Sequence, residues 1–251
     1  MPGLYRVSVY LGLAILGAGI APACAEERIL SFDSRIAVNP DLSLDVTETI
    51  TINVEGVGIK RGIVKDLPAS PRGGKDRRAG LGLKVLSVTR DGVAEPFKIE
   101  PGQTGTQLRT GKADVLLAAK PTTYVIHYRV VRPGSSPDRY NELAWDVTGN
   151  SWALPIDKAF VTVAMPAGAQ ITQAAAAVRL PEGIGHDIQI GSKEGSEFTA
   201  RTTAPLAPGS HFTILVEWPK GSAAVIGVSE VQFPAQQWTT RRKRFSALRL
   251  R

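Results

Sequence analysis

The residues best suited to chemistry in this chain are few, and their spacing argues mostly against catalysis. Three histidines, His127, His186 and His211, lie too far apart in sequence to give a metal-ligand spacing. Asn39, Asp41, Ser43 and Asp45 place oxygen side chains at alternate positions, as calcium loops do, but the glycine and the distal bidentate glutamate of such loops are missing. Gly149-Asn150-Ser151-Trp152-Ala153 resembles half of a nucleophile elbow, without the last glycine and without a strand leading into a helix. No glycine loop leads into a helix to cradle phosphate. The sequence therefore points to no metal and no cofactor.

One carboxylate breaks the local pattern. From Ser43 to Val54, apolar residues occupy one parity (Leu44, Val46, Ile50, Ile52, Val54), and Glu48 sits among them. A strand of this period turns Glu48 toward the apolar face, where a carboxylate needs a partner. The expected partner is Arg61, within Gly58-Ile59-Lys60-Arg61-Gly62-Ile63, whose isoleucines suggest a second buried strand. The pair is read as an inward ion pair that fixes strand register, with a catalytic acid as the alternative. A second constellation is Trp145 and Trp152 around Asp146 and Asn150: either the rings fill the core, or they form a shelf for carbohydrate or peptide beside a polar turn.

The elements that must position these residues are strands. Runs of strand character follow at Leu81 to Arg90, Ala113 to Ala118, Thr122 to Val131, Phe160 to Met165 and Phe212 to Trp218, punctuated by Asp91-Gly92, Lys120-Pro121 and Pro208-Gly209. Asn39-Pro40-Asp41 reads as a hairpin turn after Ile36 and Val38. In Gln173 to Val178, four consecutive alanines form a segment too short to specify a helix. The expectation is all-β: an antiparallel β-sandwich of immunoglobulin-like type, as one large unit or two closely packed halves meeting at Pro133 to Pro137. Pro68 to Gly80, rich in glycine and cations, reads as a solvated loop.

Composition places this body outside the cytoplasm. The first 25 residues combine Arg6, an apolar run from Val7 to Ile20, and Ala23-Cys24-Ala25, the pattern of a secretory signal helix cleaved after Ala25. Cys24 is the single cysteine, so the mature chain would carry no thiol or disulfide. The formal charge of +7 is misleading. Arg6 and six cations between Arg241 and Arg251 supply seven of the 30 cations, and the other 23 face 23 acids. The span from Glu26 to Glu230 is neutral overall, which argues against nucleic acid as a partner. The expected organisation is thus a signal over 1–25, a β domain over 26–221 and an irregular basic tail over 222–251, with weak or no membrane association through that tail.

Four segments carry a family resemblance: V-T-E-T-I-T-I (Val46 to Ile52), G-I-K-R-G-I (Gly58 to Ile63), N-E-L-A-W-D-V-T-G-N-S-W-A-L-P-I (Asn141 to Ile156) and W-P-K-G (Trp218 to Gly221). Together the chain resembles, over about residues 28 to 221, the extracytoplasmic domain of the YciQ-like predicted bacterial membrane proteins of unknown function. The resemblance implies an exported β-sandwich tethered to the membrane and brings no catalytic residues. It also implies membrane-spanning helices after the domain, whereas nothing after Gly221 is apolar enough to span; a truncation, a frame slip near Val225 or a secreted variant would each give such an end. The expected role is a non-enzymatic envelope module that binds or spaces an envelope protein or glycan. The alternative is an enzyme acting on cell wall or glycan with Glu48 or Asp146 as its acid.

Overall fold

The structure is a computed structural model. It describes residues 26–67, 82–102, 106–131, 140–149, 152–192 and 195–220; the signal segment, the Pro68 to Gly80 loop, the Pro133 to Pro137 boundary and the basic tail lie outside them. All regular structure among the described residues is β. The strands are β1 (Arg28–Val38), β2 (Leu44–Asn53), β3 (Val64–Asp66), β4 (Gly82–Arg90), β5 (Val93–Ala94), β6 (Phe97–Pro101), β7 (Thr106–Thr110), β8 (Pro121–Val131), β9 (Tyr140–Asp146), β10 (Ala159–Ala164), β11 (Gln173–Leu180), β12 (Gly183–Gly185), β13 (Ile188–Ser192), β14 (Glu197–Thr202) and β15 (His211–Pro219).

An eight-stranded sheet runs β13-β14-β10-β1-β2-β8-β4-β5, a four-stranded sheet runs β12-β11-β15-β9, and a three-stranded sheet runs β3-β7-β6. The all-β sandwich expectation holds, with the small third sheet as an addition. Every pairing is antiparallel except β1 with β10, where Phe32 aligns with Ala159 and Ala37 with Ala164. A parallel pair needs a crossover, and here the chain builds several strands of all three sheets before returning to β1.

Period two dictates the core. β2 alternates buried and half-buried residues along its whole length, so Leu44, Val46, Ile50 and Ile52 all point inward with Glu48. They meet Phe32 and Ile36 of β1, Tyr124, Ile126 and Tyr128 of β8, and Phe212, Ile214 and Val216 of β15 in one contiguous core. Burying each large apolar side chain contributes about 1.5–3 kcal/mol, so the strand tolerates one polar residue on that face provided it is partnered.

One expectation changes. Ala113 to Ala118 is irregular: Val115 donates back to the Lys112 carbonyl in a turn, Leu117 is tied to Lys60, and Leu116 is exposed. That run lacks the alternation that would let one face be buried. The alanines of Gln173 to Val178 form strand β11, with Ala174 and Ala176 packed on the core and Ala177 paired with Thr213. Small side chains leave the local preference weak, and pairing with β15 decides it.

Candidate functional site

The polar centre of the molecule lies where β2, β8 and β3 converge. β2 aims Glu48 into the core, where 1% of it is exposed. The Tyr128 hydroxyl of β8 donates to Glu48 Oε1 at 2.7 Å. Lys65 Nζ of β3 lies 3.2 Å from Oε2, with 3% of its side chain exposed. This contact is an ion pair that answers Oε2. Lys65 Nζ also donates to the Asp66 carbonyl at 3.3 Å and stands 5.5 Å from the centre of the Phe32 ring. Burial pushes the Glu48 carboxyl above the usual range, against the pull of Lys65 and the Tyr128 hydrogen bond. Burial, and then the charge of Glu48, push Tyr128 well above the ordinary phenol value, so its hydroxyl stays protonated.

The partner of Glu48 is therefore Lys65 rather than Arg61. Arg61 is exposed, and the residues from Ile59 to Ile63 are not a strand. The chain bends at Lys60 and Arg61, which breaks the parity that would have carried Arg61 inward. Beyond the bend, Ile63, Lys65 and Leu67 are buried while Val64 is exposed. That alternation is the sequence signal for Lys65. The bend is held by a close interlock: a Cβ on Gly62 would collide with the Thr110 carbonyl, and one on Gly111, at φ +93°, with the Arg61 carbonyl.

The tryptophan motif abuts this centre. Trp145 and Trp152 are 7% and 6% exposed and belong to the core, so neither ring offers the open face a ligand shelf requires. Trp152 meets Phe32 edge-on at 6.4 Å and donates from Nε1 to the Thr148 carbonyl at 2.8 Å. Thr148 Oγ1 accepts the Phe212 N–H at 3.0 Å, and Asp146 Oδ1 accepts the Gly149 N–H at 3.0 Å. Asn150 lies outside the described residues. Asp146 Oδ2 contacts His211 Nδ1 at 2.6 Å, with the two side chains 35% and 21% exposed. This acid–imidazole pair, not anticipated from sequence, is set by the diagonal placement of Asp146 and His211 on β9 and β15, where Asp146 faces Thr213.

Three further carboxylates are structural. Glu27 Oε1 and Oε2 accept the N–H groups of Glu55, Val57, Gly58 and Ile59 at 2.6–3.2 Å. Burial acts to raise its pKa, but the four donors together hold it below the ordinary value. The Asn39 to Asp45 oxygens turn on one another: Ser43 donates to Asp41 from both N–H and hydroxyl, and Asn39 donates to Ser43 and Asp45. Arg129 clamps Asp45 with two bonds of 2.7 and 2.6 Å, the main reason Asp45 falls to about 2.

These features define an all-β domain whose most buried ionisable groups answer one another. Residues 28–218 match the N-terminal domain of the predicted membrane proteins known as DUF2207, and the chain belongs to that family. It is 33% identical over 137 residues to the uncharacterized protein YciQ of Escherichia coli (strain K12), a match covering 53% of this chain and 21% of that protein. The match thus spans about a fifth of the relative. Among solved structures, yeast LTA4 hydrolase in complex with bestatin aligns with a TM-score of 0.46 at 10% identity, over 76% of this chain and 28% of that one. An M1 zinc metallopeptidase from Deinococcus radiodurans aligns with a TM-score of 0.43 at 14% identity, over 76% and 42% of the two chains. Likeness at that level carries nothing about activity. No helix among the described residues is long and apolar enough to cross a membrane.

Proposed function

We propose that this domain is a non-catalytic module of the cell envelope, exported to the extracytoplasmic side, that binds or spaces an envelope protein or glycan for its membrane-protein family. The observation that carries this reading is the sealing of Glu48: the carboxylate with the strongest local reason to act as an acid is 1% exposed and answered by Lys65 and Tyr128. A group so enclosed meets no external substrate. The body's formal charge balance and the secretory pattern of residues 1–25 support the same placement. Fractionation of cells expressing the full chain with a C-terminal tag tests it. Protease-accessible protein in spheroplasts and no turnover across peptide, ester, glycan and phosphate substrates are expected; cytosolic protein or robust turnover would overturn it.

An enzyme acting on cell wall or glycan is the second reading, and it now rests on Asp146, whose carboxylate is partly exposed beside His211. Turnover that disappears in folded Asp146→Asn would establish that reading.

A further inference from the structure

We propose that Lys65 and Glu48 are joined covalently, by an amide between Nζ and Cδ that crosslinks β3 to β2. A lysine and a glutamate so sealed can react with no diffusing partner, which leaves each with the other. Lys65 Nζ is already 3.2 Å from the oxygen it would displace. Holding the two groups side by side removes the entropy cost of a bimolecular encounter. Burial disfavours the charged form of the Glu48 carboxyl, and the acid form is the one that can lose water. The raised pKa of Glu48 agrees with this direction.

The surrounding groups suit each stage. The Nζ lone pair attacks Cδ while the Tyr128 hydroxyl, 2.7 Å from Oε1, donates to the oxygen on which negative charge develops. The Cδ–Oε2 bond then breaks, and Oε2 leaves as water with the acid proton and one amine proton. No oxidant or co-reactant is needed. In the product, the new amide carbonyl keeps the Tyr128 hydrogen bond and the new N–H faces the Asp66 carbonyl, now 3.3 Å from Nζ. The carboxylate oxygen that faces Lys65, Oε2, is the atom that is lost. Condensation thus removes the buried ion pair.

Mass spectrometry of the purified full chain, denatured and referred to its sequenced N-terminus, tests this. The expected mass is lower than the sequence mass by one water, and proteolysis should release a branched peptide joining residues 48 and 65. Lys65→Met should restore the sequence mass, and Tyr128→Phe should lower the crosslinked fraction in a protein that still folds. An unmodified mass in the folded wild-type chain would overturn the proposal without recourse to any variant. Loss of one ammonia would overturn it equally, because it would put the acceptor at a carboxamide instead of Glu48.

Discussion

Glu27 and Asp45 show how differently two lowered carboxylates weigh on stability. Asp45 is displaced further, to about 2, but its partner Arg129 is half exposed, and solvent screens such a pair. Glu27 is 9% exposed and ties four backbone N–H groups of the 55–59 turn, which would otherwise need new partners. Glu27→Gln should therefore destabilise the protein more than Asp45→Asn in urea unfolding at about pH 7. A pKa lowered by folding contributes stability above the unfolded value and loses it as pH falls through the folded one. The gap between wild type and Glu27→Gln should accordingly narrow as the medium is taken below about pH 4; a gap that widens on acidification would contradict the assignment. Of these residues, Glu48 was legible because it shares its parity with five apolar residues of a twelve-residue strand pattern. Glu27 was not, because its partners are main-chain groups that leave no trace in side-chain spacing. Lys65 was not legible because the bend at Lys60 and Arg61 resets parity, and a bend without proline has a weak signature.

At the scale of elements, the Gly58 to Ile63 motif is explained by close approach. The backbones at Gly62 and Gly111 pass so near each other's loops that neither position has room for a methyl group. Gly62→Ala should cost about 1–3 kcal/mol through forced displacement, and Gly111→Ala should cost more, because its φ of +93° adds a conformational penalty. Gly183→Ala, which points into open space on β12, is the control and should be near neutral in the same thermal unfolding assay. Equal effects at all three would refute the interlock. Strands with clean alternation, β2 and β8 above all, could be read from the chain within a residue or so. The pairing of β1 with β10 could not, because a parallel register between segments so far apart depends on everything folded between them. Nor could β11, whose alanines express no strong preference until β15 is beside them.

On the scale of the whole molecule, three sheets share one core, and the tryptophan motif reaches from β9 to Phe32 of β1 across it. The protein should consequently unfold as one unit. Fluorescence of the core tryptophans Trp145, Trp152 and Trp218 should fall in the same urea transition as far-ultraviolet dichroism, and two separated transitions would instead mark tandem domains. The small sheet enters this unit through Lys65, so the central claim is that Glu48 and Lys65 lock β3 to the large sheet instead of serving substrate. Removing one member leaves the other buried and unanswered, at a cost of about 3–5 kcal/mol, whereas apolar replacement of both avoids that part of the loss. The decisive measurement is the unfolding free energy of Glu48→Ala, Lys65→Met and the double variant Glu48→Leu with Lys65→Met in the full chain. Large losses in both single variants and a smaller loss in the double are predicted; small and equal losses in all three would show that the pair faces solvent and locks nothing.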